Sequence, residues 1–397
     1  MNSLAAKFPL PDWTVRAPRR EGALPVALLG VTFDPVSTTE AVERIADMID
    51  RRRPHQVVTA NLDFLLQAHG DPELRRILHR ADLTLCDGTP LVWASRWLGN
   101  PLPERVAGAD LVPRLLAQAA QRGHRVFLLG GTPAAGAEAA ERIRARHPGI
   151  EIAGQYAPPF APLDGMDHAD IGRRIRAAKP DLLFVSFGCP KAEKWIARNY
   201  EALGVPVAIG VGATIDFLAG RMRRAPVWMQ RGGMEWIFRM LQEPRRLTGR
   251  YAADFAFFGR ALPAQWWRGQ GLRAHEPAPP ARVVAGETWS CLALSGWIDA
   301  GALRRDRALW ENLAEAGRDC VVDLTQATGL DSSAAARLLR LQRHLQTAGR
   351  RLVLLAPGTA LRGTLHAMHL GEFGFIARDF AEAWTCLQTA TPALSAP

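Results

Sequence analysis

The chain has 397 residues, of which 48% are hydrophobic and 22% are charged, and its formal net charge is +10. This composition is that of a folded protein with two or three domains, and it excludes a disordered chain. The excess of arginine and lysine suits nucleic acid, an anionic membrane surface or a phosphorylated substrate, and it does not choose among them.

Five cysteines are spread through the chain without a Cys-x-x-Cys pair or a Cys/His spacing, which favours reduced thiols in a cytoplasmic protein. The N-terminus lacks the apolar segment of a signal peptide. No uncharged apolar run reaches the ~18 residues that suggest a membrane-spanning helix. The sequence therefore predicts no membrane span, and it predicts that residues 1–22 form a loose basic leader.

Apolar runs alternate with helical patterns from residue 23 to residue 221, which we predict to be one α/β domain. The predicted strands are 26–29, 56–60, 83–86, the run RVFLLGG, 182–187 and 207–210. Because these strands are almost continuously apolar and alternate with helices, we expect a doubly wound, Rossmann-like parallel sheet.

Polar side chains follow two of the predicted strands. Thr59 and Asn61 lie at the end of one strand, and Asp87 with the next glycine ends another. The loop PERVAGAD then brings Arg105 and Asp110 to the start of a helix. A carboxylate and a glycine at a strand end are typical of a ligand crevice in an open α/β sheet. Each residue also has a plainer interpretation: an Asp-Gly turn, an Asx turn at Asn61, a helix cap at Asp110 or a solvated arginine.

The run RVFLLGG ends in Gly130 and Gly131, just before a helix that begins near Pro133. Two glycines let the backbone approach a ligand closely, and a helix N-terminus presents free N–H groups to an anion. The pattern is neither GxGxxG nor a Walker loop, so a plain tight connection between strand and helix is the alternative.

Residues 222–267 are predicted to be a helical appendage rich in arginine and aromatic residues. One interpretation is a helical subdomain packed on the sheet, with its arginines in solvent. The other is an interfacial segment whose aromatic residues enter the headgroup region while the arginines meet anionic lipid. The segment contains no recognisable DNA- or RNA-binding motif, so nucleic acid is not an expected partner.

Residues 268–282 are polar and proline-rich and are predicted to be a linker to a second α/β domain at 283–397. In that domain the stretch VVDLTQATGLDSSAAARLLRL resembles the STAS domains of sulphate transporters and anti-sigma-factor antagonists. The resemblance implies that Ser332 is the phosphosite position of phospho-regulated members, where a phosphate would add negative charge at a helix start. The alternative is that Asp331 and Ser332 only cap the helix.

Eight motifs follow one another between about residues 24 and 251: TxN, DG, PERxxGxD, RVFLLGG, FGxPKxEKW, GVGATIDFLAG, RAPxWM and GxEWIxRxxxEPRR. Their order resembles the WecG/TagA/CpsF family of bacterial glycosyltransferases. Members of this family move a sugar from a UDP-sugar onto a polyprenyl-diphosphate-linked sugar. The resemblance implies a glycosyltransferase domain at 23–221, with the appendage docking on the membrane and closing the site.

The resemblance also implies a role for individual residues. Asp87 matches the catalytic aspartate, which would act as the base in an inverting displacement. Arg105, Arg239 and Arg246 match the arginines that would neutralise the leaving diphosphate. The implied substrate-binding residues are Thr59, Asn61, Gly130, Gly131, Gly188 and Asp216. No metal and no cofactor are implied, since the UDP-sugar is a substrate.

The sequence departs from the family pattern at Ala192, where the family usually has Gln. The leading hypothesis is a peripheral enzyme on the inner face of the cell membrane that acts in exopolysaccharide, common-antigen-like or teichoic-acid-like polymer synthesis. Its partners would be a UDP-sugar, a polyprenyl-diphosphate-linked acceptor, anionic lipid and a protein bound by the STAS domain. The alternative is a catalytically degenerate, membrane-tethered regulator that signals through STAS.

Overall fold

The computed structural model describes residues 23–270, 278–356 and 358–388. The predicted basic leader and residues 271–277 of the predicted linker lie outside the described residues. Within the described ranges, no helix has the length and apolar character that crossing a bilayer requires.

The first domain is built on a parallel sheet of six strands, which confirms the predicted doubly wound fold. The strands are β1 (Val26–Leu28), β2 (Val31–Phe33), β3 (His55–Ala60), β4 (Leu83–Cys86), β5 (Arg125–Gly130), β6 (Glu151–Tyr156), β7 (Leu182–Ser186) and β8 (Val207–Gly210). The helices are α1 (Thr38–Asp50), α2 (Leu62–Gly70), α3 (Pro72–Arg80), α4 (Thr89–Trp97), α5 (Gly108–Arg122), α6 (Pro133–Arg146), α7 (His168–Ala178), α8 (Lys191–Leu203) and α9 (Thr214–Leu218).

The six strands are ordered β4-β3-β8-β7-β5-β6 across the sheet. The chain runs outward from β3 to β4 and then crosses to the other half of the sheet at β5. A reversal of this kind opens a crevice at the carboxyl ends of the strands, which is where such sheets bind ligands. The edge strand β6 was not predicted, because its sequence EIAGQY has no apolar run.

The prediction that the first strand belongs to the parallel sheet is wrong. Strand β1 instead pairs antiparallel with β2 in a separate hairpin. The turn is tight because Leu29 and Gly30 both adopt positive φ, at 49° and 85°. Such a turn joins antiparallel neighbours, whereas a parallel partner would need a long crossover connection.

The appendage has three helices: α10 (Val227–Arg231), α11 (Glu235–Gln242) and α12 (Pro244–Gln270). The last helix continues three residues beyond the predicted end of the segment at 267. Its inner face is held to the first domain by polar contacts as well as apolar packing. Arg250 lies 3.2 Å from Asp63, and the Gln265 amide bonds the backbone of β1 and its turn at 2.8 Å.

The second domain is a five-stranded sheet in the order β13-β12-β11-β10-β9, in which only β9 is antiparallel to its neighbour. The strands are β9 (Arg282–Ala285), β10 (Trp289–Ile298), β11 (Asp319–Leu330), β12 (Leu352–Leu355) and β13 (Phe375–Ala377). The helices are α13 (Ala300–Arg305), α14 (Arg307–Glu315), α15 (Ser332–Thr347), α16 (Thr359–Ala367), α17 (Leu370–Phe373) and α18 (Phe380–Gln388). Helices α13 and α14 are separated at Asp306, which is the C-cap residue of α13.

The hairpin of β1 and β2 lies between the two domains. Successive side chains of a strand point to opposite faces. Ala27 packs into the core of the second domain. Its neighbours Val26 and Leu28 pack into the core of the first domain. All three side chains are fully buried as a result, which explains why this short strand is apolar on both faces.

Ion pairs and ring stacking fasten the second domain to the first. Arg75 of α3 is almost completely buried, and its guanidinium bonds both oxygens of Glu372 at 2.7 Å. The same guanidinium donates to the carbonyls of Ala68 and His69. A second contact stacks His79 on Phe373 with ring centres 4.1 Å apart, and burial lowers the pKa of His79 to about 3.

Helix α15 adds two further pairs to this interface. Arg343 lies 2.8 Å from Asp82, and Arg340 lies 2.5 Å from Asp34. Asp34 is almost fully buried and also accepts the backbone N–H of Thr84 at 2.9 Å. Asp34 also pairs with Arg44 of its own domain at 3.3 Å, so this buried carboxylate is matched by cations from both domains, as a buried charge requires.

We expect Arg75→Ala to lower the free energy of unfolding by about 1–3 kcal/mol, since it leaves buried acceptors without a donor. Arg122→Ala, which removes an exposed pair with Asp50, is the control and should change stability by no more than ~0.5 kcal/mol. Urea unfolding followed by tryptophan fluorescence measures both. Equal effects of the two substitutions would show that the interdomain pair contributes nothing.

Candidate active site

The carboxyl ends of three adjacent strands bring the predicted polar residues together. The Asp87 N–H donates to the carbonyl of Ala60 at 2.8 Å, which ties the end of β4 to the end of β3. The buried Thr59 hydroxyl donates to the carbonyl of Gly210 at 3.4 Å, which ties β3 to β8. Thr59 and Asp87 therefore lie at the mouth of one crevice, as the sheet topology requires.

Asp87 lies half-buried beside the N-terminus of α5. Its Oδ2 accepts the N–H of Gly108 at 3.4 Å. Burial raises the pKa of Asp87 to about 7, although Arg105 and the hydrogen bond from Gly108 act in the opposite direction. A carboxyl group with a pKa near 7 can take up a proton at neutral pH, which is what a general base must do.

Arg105 is the cation with the largest effect on the charge of this carboxyl group, and two carboxylates pair with it. Its guanidinium lies 2.8 Å from Glu235 and 3.1 Å from Asp110. Burial lowers the pKa of Arg105, but Asp87 and Glu235 outweigh that effect and raise it above its usual value. The guanidinium therefore remains charged next to the crevice.

Arg105, Asp110, Arg224 and Glu235 form one arginine–carboxylate cluster. Arg224 bonds Asp110 and lies 3.4 Å from Glu235. Arg224 and Glu235 were not assigned a role from the sequence: they lie in the quoted motifs RAPxWM and GxEW, but the spacing of those motifs does not show that the two residues meet. Asp110 is not the cap of α5, because the cap position is Ala107 and has no side-chain hydrogen bond. Its carboxyl group joins two arginines instead.

The two predicted appendage arginines, Arg239 and Arg246, lie in different environments. Arg239 lies on α11 and is close enough to Asp87 to lower that group's pKa. Its Nε is buried and has no hydrogen-bond partner among the described residues. Arg246 is exposed at the start of α12 and pairs with Glu243 one turn earlier, at 2.5 Å. Arg239 therefore belongs to the cluster, whereas Arg246 lies at the surface of the appendage.

The three predicted glycines also differ in what they do. A Cβ at Gly130 would lie 2.5 Å from the carbonyl oxygen of Ser186, so the contact of β5 with β7 requires glycine there. The Gly131 N–H donates to that same carbonyl at 3.3 Å and is already satisfied. Gly188 has φ of +77° with open space around its Cβ position. Of the three, Gly188 leaves the most room for a ligand.

The other predicted binding residues lie near the same edge of the sheet. Asn61 accepts the N–H of Phe64 at 3.3 Å and so caps α2, as its plainer interpretation predicts. That bond uses the side-chain oxygen and leaves the amide nitrogen as a donor. Asp216 is half-buried in the first turn of α9. The hydroxyl oxygens of Thr214, in the same turn, and of Thr59 lie 3.8 Å and 3.6 Å from the Cβ position of Gly108.

The FGxPKxEKW motif contributes to the core more than to the crevice. Glu193 is almost completely buried, and burial raises its pKa to about 7. Its Oε2 has no hydrogen-bond partner among the described residues. Ala192 is 1% exposed and packs in the apolar core of the first domain, with Trp195 and Ile196. Among all the residues that the structure describes, no group of three or more His, Cys, Asp or Glu side chains is placed to hold a metal ion.

The predicted phosphosite lies at the start of α15. Asp331 caps the helix by accepting the N–H of Ala334 at 2.8 Å, and burial raises the pKa of Asp331 to about 6. The Ser332 hydroxyl is buried and has no hydrogen-bond partner among the described residues. In this conformation the hydroxyl is not presented to a modifying enzyme.

Two family profiles match this chain. Residues 26–271 match the family described as "Glycosyl transferase WecG/TagA/CpsF family". Residues 286–377 match the family described as "Mlab, STAS domain". The first match contains every residue of the arginine–carboxylate cluster, and the second contains most of the five-stranded domain.

Curated relatives share the first domain. An N-acetylglucosaminyldiphosphoundecaprenol N-acetyl-beta-D-mannosaminyltransferase of Bacillus spizizenii is 35% identical over 198 residues, which cover 50% of this chain and 75% of the relative. A protein of the same name from Staphylococcus aureus strain MRSA252 is 30% identical over 230 residues, which cover 57% of this chain and 89% of the relative.

Solved structures resemble the second domain. An anti-sigma factor antagonist from Mycobacterium paratuberculosis is 21% identical and covers 30% of this chain and 100% of its own, with a TM-score of 0.25. The unphosphorylated anti-sigma factor antagonist SpoIIAA is 17% identical and covers 26% of this chain and 94% of its own, with a TM-score of 0.23.

The glycine geometry predicts two different outcomes for the same change. Gly130→Ala adds a clash with a backbone carbonyl to the strain of a positive φ, and we expect it to destabilise the chain by more than ~2 kcal/mol. Gly188→Ala adds only the φ strain, about 1 kcal/mol. Urea unfolding measures both variants. A Gly130→Ala variant as stable as Gly188→Ala would contradict the structural role given to Gly130.

Proposed function

The chain belongs to the WecG/TagA/CpsF family of glycosyl transferases, and from this premise we propose that it moves N-acetylmannosamine from a UDP-sugar to a polyprenyl-diphosphate-linked N-acetylglucosamine. The names of two relatives that match half or more of this chain give the transferred N-acetylmannosamine and the lipid-linked N-acetylglucosamine acceptor. The observation that carries the proposal is the half-buried Asp87, whose pKa is raised to about 7, beside the paired guanidinium of Arg105.

In the proposed reaction Asp87 accepts the proton of the acceptor hydroxyl as that oxygen attacks the anomeric carbon of the donor. The new bond between the acceptor oxygen and the anomeric carbon forms on the face opposite the nucleotide. The bond between that carbon and the diphosphate oxygen breaks, and UDP leaves with the electron pair. One displacement with one base inverts the anomeric configuration.

The arginines act on the leaving group. Two phosphates gain negative charge as the bond breaks, and guanidinium groups bind phosphate oxygens through paired N–H donors. We assign this role to Arg105 and Arg239 in place of a metal ion. Glu235 is a positioning residue, because its carboxylate pairs with the guanidinium of Arg105. Arg224 acts one step further away, by pairing with Glu235 and Asp110. Charges that are already in position lower the activation free energy of the transfer, because the protein need not rearrange as the leaving group becomes charged.

The competing hypothesis of a degenerate, regulatory protein depended on Ala192. In the structure this side chain lies in the apolar interior with Trp195 and Ile196. The missing Gln therefore leaves the arrangement of Asp87 and Arg105 intact. We accordingly favour an active transferase, with the STAS domain as a module for docking or regulation.

A membrane surface is the expected location of a lipid-linked acceptor, and the appendage suits it. Trp228, Leu241 and Trp267 are each at least 65% exposed, and exposed arginines lie between them in the sequence. Trp93 and Trp97 of α4 add two exposed aromatic rings from the first domain. Aromatic residues at the headgroup level together with arginines suit binding to anionic lipid. We propose peripheral attachment to the inner face of the cell membrane.

The near-neutral pKa of Asp87 predicts a pH profile. The base is ionised above its pKa, so kcat/KM should rise with pH and level off above about 7. Asp87→Asn cannot accept the proton, and we expect kcat to fall by ~10²–10⁴ with the profile flattened. UDP release with UDP-N-acetylmannosamine and a polyprenyl-diphosphate-N-acetylglucosamine acceptor measures both.

Glu193→Gln is the control, because burial also raises the pKa of Glu193 to about 7 although it lies in the core. That variant should keep the midpoint of the wild-type profile. If Asp87→Asn retains the wild-type rate, or if Glu193→Gln abolishes the pH dependence, Asp87 is not the base.

The proposed membrane surface can be tested without turnover. We expect Trp228→Ser together with Trp267→Ser to reduce cosedimentation with phosphatidylglycerol vesicles at least fivefold, since two exposed rings lose their insertion. Trp384→Ser in the second domain, whose ring is also exposed, is the matched control and should bind as the wild type does. Equal binding by all three proteins would place the lipid surface elsewhere.

A further inference from the structure

A groove of about 1350 Å³ separates the two domains on the side away from Asp87. One wall is the start of β3 with the turn before it, together with α3 and α8. The other wall is the C-terminal end of α15 with the segments 349–352 and 371–375. The six residues of β3 span roughly 20 Å, so the groove and the crevice lie at opposite ends of that strand.

Arginine dominates the charge of this groove, and both domains supply it. Seven arginines line the walls: Arg51, Arg53, Arg76, Arg80, Arg343, Arg350 and Arg351. The lining carboxylates are four: Glu73, Asp82, Glu201 and Glu372. Three of these carboxylates already form ion pairs: Glu73 with Lys194, Asp82 with Arg343, and Glu372 with Arg75.

Most of the arginines have no carboxylate to balance them. Within the described residues, Arg51, Arg53, Arg80 and Arg350 form no ion pair, and all four are exposed. Arg76 uses its Nε to bond the carbonyl of Pro72 at 3.2 Å. A cleft lined by charges of one sign concentrates its field between low-dielectric walls and attracts the opposite charge.

We propose that this interdomain groove binds a small phosphorylated molecule with at least two phosphate groups. Guanidinium forks match phosphate oxygens, and the groove has ample room for such a molecule. Such a ligand would bridge Arg53 or Arg80 of the first domain and Arg350 of the second. Its binding would therefore stabilise the docked arrangement of the two domains.

The site is independent of the proposed sugar transfer, because its residues come from the opposite end of the sheet. Because the second domain supplies one wall of the groove, the ligand would bind this domain while the domain remains docked on the first. The ligand is a free solute in this proposal, since protein walls the groove on two sides.

The test is calorimetric titration of the full chain with sodium tripolyphosphate at 0.15 M salt (about physiological ionic strength), in the presence of excess UDP. We expect Arg53→Ser together with Arg350→Ser to weaken binding at least tenfold, since each lost charge-assisted contact is worth about tenfold. Arg80→Ser together with Arg350→Ser gives a second pair with the same expectation.

Arg144→Ser together with Arg304→Ser is the control, because it removes two exposed arginines outside the groove, one from each domain. This variant should bind tripolyphosphate within twofold of the wild type. Undetectable binding to the wild type, or equal weakening in the groove and control variants, would overturn the proposal. Displacement of tripolyphosphate by phosphatidylglycerol vesicles would also overturn it, because the ligand would then be a lipid headgroup.

The comparison among variants does not require the enzyme to turn over. Loss of sugar transfer on Asp87→Asn and loss of tripolyphosphate binding on Arg53→Ser with Arg350→Ser are separate measurements. If the chain fails to transfer the sugar, the groove result is unaffected. If the groove fails to bind, the proposed transferase reaction is unaffected.

Discussion

The pairing of Arg105 with Glu235 is the interaction on which the rest of the site depends. It joins the loop between α4 and α5 to the first turn of α11 at 2.8 Å. Arg224 and Asp110 close the cluster, so two guanidinium groups face two carboxylates. Partly buried charges are stable only when they are paired. The appendage therefore contributes to the site itself, because without Glu235 the guanidinium of Arg105 would lose one of its two carboxylate partners.

The electrostatics of Asp87 follow from the same packing. Burial favours the neutral form of the carboxyl group, whereas Arg105 and Arg239 favour the charged form. Burial is the larger effect, which leaves the pKa near neutrality instead of at the value of an exposed aspartate. An appendage that moved away would expose the carboxyl group and remove Arg239 together. The same movement would therefore change both the strength of the base and the charge facing the leaving group.

The hairpin of β1 and β2 shows how the two domains become one structural unit. One side of β1 completes the core of the first domain and the other side completes the core of the second. Gln265 of the appendage bonds the same hairpin. All three parts of the chain thus meet at a three-residue strand. The ion pairs of α3 and α15 then fix the angle of contact, and the arginine-lined groove is what remains open beside it.

The sequence by itself determined the alternation of apolar strands and helices, the two α/β domains and the strand ends that carry Thr59 and Asp87. These are local properties, since periodicity and strand-end polarity are written in consecutive residues. Only the tertiary structure decided that β1 leaves the sheet, that Arg239 joins the cluster while Arg246 stays at the surface, and that Arg224 meets Glu235. Those outcomes depend on contacts between residues far apart in the chain, whose distances no spacing in the sequence encodes. The groove could not be predicted from the sequence either. Its arginines come from four separate segments, and their charges act together only when the two domains dock.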